Sequence, residues 1–222
     1  MNTDFELPRG AGMVRLGPED RVIIDLVPEG ARVLDLGCGE GDLLKALTVI
    51  RGARGEGIEL SDACIQACVR KGITRVHHGD IDEGLAGYAD GSMDYVLLTN
   101  TIQVLHKPML LIREMVRVGR KCVVAFPNFG YWRIRTNLFF GGRMPKTGRL
   151  PHEWYESPNI RLFTLLDFRE FCRKAGMRIL QEIPLRTGGR GRTARVAFMP
   201  NLRADVAVFL LEKGDSPGGE KP

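Results

Sequence analysis

The apolar run Val33-Leu34-Asp35-Leu36 passes directly into Gly37-Cys38-Gly39-Glu40-Gly41 and then into Asp42-Leu43-Leu44, where a helical pattern begins. Few local structures tolerate that order. The first four residues have the length and composition of a strand buried on both faces, as in parallel sheets. Glycines at alternate positions let the backbone pass close to a ligand where a Cβ would collide. The helix that follows turns its free N–H groups and the positive end of its dipole towards the turn, which suits a carboxylate. A dinucleotide-binding turn, G-x-G-x-x-G, would carry its third glycine at position 42. Here that position is Asp42 and the third glycine is Gly41, giving D-x-G-x-G-x-G led by Asp35.

The rest of the chain repeats the strand–helix alternation of a mostly parallel α/β sheet with helices on both faces. Short apolar runs at 57–60, 95–99 and 122–126 read as further strands, with a weaker one at 75–78. Pro18 opens a helix to about Val27, and Pro108 opens another in which Leu111, Met115 and Val118 share a face. Ser61 and Asp62 cap a helix between them. Thr164 and Asp167 form a capping-box variant, followed by the apolar stripe Phe168, Phe171, Cys172 and Ala175, and Gly176 ends that helix. Two late strands fall near 178–184 and 205–212, joined by the Gly/Arg-rich stretch 187–195. The expected organisation is one domain over 1–213 with a disordered polar tail, 214–222.

Composition narrows the setting. At 222 residues and 44% hydrophobic content, the chain has enough apolar surface for one large core. Five scattered cysteines, Cys38, Cys64, Cys68, Cys122 and Cys172, show no disulfide framework or metal-ligand spacing, which suits reduced thiols, a cytoplasmic setting and no metal. The N-terminus lacks a signal-peptide pattern, and no apolar run is long enough to span a bilayer. The net charge of +5 is concentrated: between Arg113 and Arg149 nine basic residues face a single acid, Glu114, and Arg186, Arg190, Arg192 and Arg195 form a second group. That distribution fits either an electropositive face or an ordinary solvated surface. No nucleic-acid-binding motif accompanies it, so nucleic acid is not the expected partner.

The D-x-G-x-G-x-G turn resembles motif I of the S-adenosylmethionine-dependent methyltransferases, and so implies a Rossmann-like class I methyltransferase fold with a seven-stranded sheet. That ligand has no pyrophosphate, and its ammonium and sulfonium make an acidic neighbour such as Asp35 useful. The resemblance implies a site for S-adenosylmethionine or S-adenosylhomocysteine formed by Asp35, Gly37, Cys38, Gly39 and Gly41. It adds Glu59 for the ribose hydroxyls with Leu60 beside it, Asp80 and Ile81 at the adenine, and Asn100 past the fourth strand.

A rarer set of motifs lies downstream. F-P-N-F-G-Y-W-R-I-R at 126–135, G-R-M-P at 142–145 and L-P-H-E-W-Y at 150–155, followed by P-N-I at 158–160, resemble the MetW family of methionine-biosynthesis proteins. The similarity extends from about Arg15 to Pro184 and departs from the family at T-N-T-I-Q-V, 99–104, which includes Asn100. It implies association with the homoserine O-acyltransferase MetX, which such proteins assist. From the residues alone, 126–160 serves equally as an interface, a substrate lid or a structural cover. Trp132, Arg133 and Arg135 are its interface candidates, being of the types most enriched at binding hot spots.

No catalytic set is visible. Methyl transfer from a sulfonium depends on in-line positioning more than on acid–base groups. His106, His152, Glu153 and Tyr155 are candidate bases that no spacing distinguishes. A methyltransferase acting on an unidentified small molecule therefore stands as the alternative to an accessory role.

Overall fold

The computed structural model describes residues 3–8, 11–188 and 193–214. Its centre is a sheet built from β3 (Arg32–Leu36), β4 (Arg54–Glu59), β5 (Val76–His78), β6 (Met93–Thr99), β7 (Gly119–Pro127), β8 (Met177–Thr187), β9 (Thr193–Arg195) and β10 (Val206–Lys213). The spatial order is β5-β4-β3-β6-β7-β10-β8-β9. The five strands from β5 to β7 are parallel, whereas β10 runs antiparallel between β7 and β8. The expected seven-stranded sheet is thus present, and the short β9 adds an eighth strand at the edge beside β8, inside the stretch read as a loop. Arg190 and Arg192 lie outside the described residues, as does the expected tail beyond Gly214.

Helices cover both faces: α1 (Pro18–Leu26), α2 (Asp42–Arg51), α3 (Asp62–Arg70), α4 (Pro108–Val118), α5 (Trp132–Gly141), α6 (Leu165–Lys174) and the short α7 (Pro200–Arg203). Strand periodicity divides the core into two layers. Leu34, Leu36, Val96, Leu98, Val124, Phe126 and Phe209 point to one side, and Val33, Tyr95, Leu97, Val123, Ala125 and Val208 to the other. On the first side, α4 buries Leu111, Ile112, Met115 and Val118. Each such side chain contributes about 1.5–3 kcal/mol on burial. The α6 stripe packs there too, with Phe168 4.7 Å from Phe126 and 4.8 Å from Phe209 between ring centroids. Its cap is as read: the Thr164 hydroxyl accepts the Asp167 N–H while the Asp167 carboxylate accepts the Thr164 N–H at 2.8 Å.

Besides α5 and α7, the N-terminal hairpin had no counterpart in the sequence reading. A hairpin of β1 (Thr3–Glu6) and β2 (Met13–Leu16) lies against α1 and α2, burying Leu7, Val14 and Leu16 in the second layer. The alternation of β2, with Met13 and Arg15 out and Val14 and Leu16 in, is only four residues long. No helix among the described residues is long and apolar enough to cross a membrane.

Candidate functional site

β3 sits at the centre of the parallel strands, with β4 on one side and β6 on the other. The chain order reverses there, so a crevice opens at the carboxyl ends of these strands, where open α/β sheets take their ligands. The glycine turn occupies that point. Gly37, Gly39 and Gly41 have φ of 71°, 54° and 79°, a left-handed sequence that residues with a Cβ rarely adopt. The three are constrained differently. A Cβ at Gly41 would lie 2.5 Å from Ile73 Cδ1 and 2.8 Å from Cys68 Sγ, so this glycine lets α2 seat against α3. A Cβ at Gly39 would meet nothing within 4 Å and would project into the open space a ligand needs.

Glu59 holds the turn. One carboxylate oxygen accepts the Gly39 N–H at 2.8 Å, and the other accepts the N–H groups of Leu60 and Ser61, each at 2.9 Å. Carboxylate and turn, twenty residues apart, are thereby fixed to each other. Leu60 is exposed beside them. Asp35, buried under the turn, has its carboxyl pushed up to about 7 by burial and then by the charge of Glu59. Cys38 is a packing residue, its thiol pushed up by burial and by Asp35 and so kept from the reactive thiolate. Cys68, on the α3 face behind it, donates to the Gly39 carbonyl at 3.2 Å. Asp80 follows β5, which is paired to β4 up to Glu59, and caps the single turn 81–83 by accepting the Asp82 N–H at 2.9 Å. Ile81 faces the core. The ten residues expected to bind a cofactor therefore lie along one edge of the sheet, on β3, β4 and the segments after β5 and β6.

Asn100 takes a different orientation from that of a simple ligand contact. Its backbone is left-handed, with φ of 53°, and its carboxamide donates to Glu19 at 2.8 Å. Glu19, in the first turn of α1, is almost fully buried. Arg149 meets it with both terminal nitrogens, each at 2.8 Å. Burial alone would raise the Glu19 carboxyl, but the charge and hydrogen bonds of Arg149, with the bond from Asn100, hold it below the usual range. Asp20 next to it is pushed up to about 7 by burial and by Glu19. Neither Glu19 nor the pairing of Arg149 was visible in the sequence. An acid after Pro18 reads as an exposed first-turn residue, and Arg149 reads as one surface charge among nine.

The basic stretch is correspondingly less open than its composition implied. Arg149 is half-buried against Glu19, Arg117 binds Glu114 and Asp90, and Lys146 pairs with Glu153. The segment from 142 to 163 runs as a strap over the sheet edge. Besides the Arg149 contact, its Ile160 and Arg161 N–H groups donate to Gln103 O, and the Arg161 side chain reaches the carbonyls of Leu105 and His106. Of the candidate bases, His106 lies 3.3 Å from Asp82 after β6, and His152, Glu153 and Tyr155 sit on the strap. No contact brings any of them to the glycine turn.

The F-P-N-F-G motif has a structural task. The buried Asn128 carboxamide donates to Ala204 O at 2.8 Å and Asn201 O at 3.0 Å, and accepts from the N–H groups of Gly130 and Leu165. It joins the end of β7 to α6 and α7. Replacing Asn128 by leucine leaves those backbone groups without partners, and urea unfolding should show a loss of about 2–4 kcal/mol. A loss below about 1 kcal/mol would contradict this role.

The topology and the glycine turn at its switch point define the class I methyltransferase fold. Solved structures agree. The chain superposes on a SAM-dependent methyltransferase of Thermotoga maritima, described as a possible histamine N-methyltransferase, with a TM-score of 0.65 and 18% identity over 88% of this chain and 87% of that one. On a SAM-dependent methyltransferase of Archaeoglobus fulgidus the TM-score is 0.66, with 15% identity over 88% and 91% of the two chains. Within that fold, the chain belongs to the MetW family: the family model described as methionine biosynthesis protein MetW matches residues 18–211. A relative from Rhodopirellula baltica, the bifunctional methionine biosynthesis protein MetXA/MetW, is 32% identical over 90% of the chain. The chain spans about a third of that relative, the match covering 33% of its length.

Proposed function

We propose that residues 1–213 form one domain that binds S-adenosylmethionine or S-adenosylhomocysteine at the glycine turn and serves as an accessory subunit of the homoserine O-acyltransferase MetX. The partnership rests on the fused MetXA/MetW relative, in which both units share one polypeptide. The cofactor reading rests on the turn held by Glu59, with room at Gly39 and an exposed Leu60 ready to be covered. In that reading the bound group supplies a methyl sulfonium when it is S-adenosylmethionine. Gly37–Gly41 takes its amino-acid end, Glu59 the ribose hydroxyls, and Leu60, Asp80 and Ile81 flank the adenine. Asn100, held to Glu19, fixes the edge of the site.

Assaying the acyltransferase with and without this chain tests the accessory role. Stimulation supports it, and an unchanged rate together with no co-purification sinks it. The pH dependence of binding tests the cofactor site. Burial, and then the charge of Glu59, pushes the Asp35 carboxyl up to about 7, and only its ionised form attracts a cation. Affinity for S-adenosylmethionine should therefore rise between pH 6 and 8, by up to about tenfold for one pKa unit of coupling. S-adenosylhomocysteine lacks the sulfonium and should change less. It keeps the ammonium, so its affinity should still rise, and parallel calorimetric titrations in which neither ligand responds over that range would exclude Asp35 as the sensor.

A second reading, methyl transfer to a small molecule, is favoured by one observation. A cavity of about 810 Å³ lies at the sheet edge, lined by Tyr131, Arg133, Asn137 and Arg149 among others. Transfer of a labelled methyl group from the donor to a component of cell extract would establish it.

A further inference from the structure

Helix α5 inverts the usual arrangement of a surface helix. Ile134 is its one buried residue, while its last turn exposes Leu138, Phe139 and Phe140, the two phenylalanines at 82% each. Their rings meet edge-on at 4.9 Å and cover little of the protein beneath. The strap continues the pattern with Met144, Trp154, Tyr155, Ile160 and Leu162 exposed, Trp154 at 74%. A Phe or Trp side chain offers about 150–250 Å² of area to bury, so leaving several uncovered forfeits a large favourable term. Soluble chains rarely expose clustered aromatics unless another surface covers them.

The charge around these residues defines what can cover them. Around α5 no acid occurs between Glu114 and Glu153, whereas Arg133, Arg135 and Arg143 lie within that stretch; on the strap, Glu153 pairs with Lys146 and Glu156 is exposed beside Tyr155. Arg133 stacks its guanidinium 5.4 Å over the Trp132 ring. The complementary surface is therefore apolar at its centre and acidic where it meets the arginines on and after α5. The fused relative supplies an occupant: its remaining length belongs to a polypeptide that also carries the MetXA unit, and a tether keeps two such units at high local concentration.

We propose that the exposed aromatics on the last turn of α5, together with those of the strap around Trp154, dock the homoserine acyltransferase, gripping an apolar patch on it that is acidic where it meets α5. This rests on the accessory role proposed above. It places the anchors beyond Trp132 and Arg135: the former is only partly exposed, and the latter is tied to the Gly130 carbonyl at 2.6 Å.

The experiment is a binding titration of the full chain against the acyltransferase of the same cell at low and high salt. The partners compared are the unmodified chain, the double variant Phe139→Ser/Phe140→Ser, Trp154→Ala, and the control Val69→Ser, an exposed site on α3. The double variant should weaken binding by roughly 30-fold or more, as loss of a hot spot does. Val69→Ser should leave it unchanged, and added salt should weaken the unmodified pair. Because both phenylalanines are exposed, the double variant should keep its melting temperature and its cofactor affinity. If the unmodified chain binds and the double and Trp154 variants bind equally well, the docking face is wrong and the partnership stands. If the unmodified chain does not bind, the partnership itself falls. Sedimentation of the chain alone as a dimer that the double variant abolishes would instead assign the face to a second copy and overturn the proposal.

Discussion

Replacing Arg149 by methionine should cost the protein about 3–5 kcal/mol of stability, the loss characteristic of removing one partner from a buried ion pair. Glu19 is almost wholly desolvated, and Arg149 provides both of its charge-assisted bonds. Without the guanidinium, Glu19 must either remain as a buried charge bonded only to Asn100 or take up a proton. For a chain of this size the penalty corresponds to a fall in Tm of roughly 10 °C. Replacing both residues, as Glu19→Gln/Arg149→Met, removes the stranded charge and keeps a carboxamide opposite Asn100. The double variant should recover most of the loss, since buried pairs can often be exchanged for neutral groups at little cost. Thermal and urea unfolding of the three proteins checks this, and a single variant within about 1 kcal/mol of the original would contradict it. The same change frees the strap from α1 while leaving its fastening at Gln103, Leu105 and His106 intact.

Replacing Glu59 by alanine should weaken S-adenosylmethionine and S-adenosylhomocysteine alike by about 100-fold, equivalent to roughly 3 kcal/mol. Two effects combine. The acceptor proposed for the ribose is lost, and a hydrogen bond involving a charged group contributes about 1.5–3 kcal/mol. The Gly39, Leu60 and Ser61 N–H groups also lose the carboxylate that sets the turn. Stability should fall far less, because Leu60 and Ser61 are exposed and water can replace the lost acceptor there. Calorimetric titration against a thermal melt separates the two. Unchanged affinity would remove Glu59 from the site, and a melting shift as large as that of Arg149→Met would make its role one of folding.

The two experiments probe opposite kinds of legibility. Glu59 could be found from the order of residues: it ends a predicted strand, and the glycine turn tells a reader where such ends converge. Its bond to Gly39 follows from strand adjacency, because β3 and β4 are neighbours in both chain and sheet. The α4 and α6 faces were legible for a similar reason, since helical periodicity and caps are local. The β1–β2 hairpin was not, because its strands are four residues each and their partners lie on α1 and α2.

What the sequence by itself determined is the α/β alternation, the D-x-G-x-G-x-G turn and the acids at successive strand ends, all written in short-range order. The glycine turn can be read alone because left-handed backbone and room for a ligand are requirements of the residue itself. Only the tertiary structure decided that Arg149, 130 positions from Glu19, is the partner of a buried acid and not a free surface charge. It likewise decided that Asn128 is a brace between β7, α6 and α7, and that the aromatics of α5 face outward. Those outcomes depend on which distant groups share a desolvated space, and burial of a charge or exposure of a phenylalanine is a property of neighbours that the local sequence does not contain.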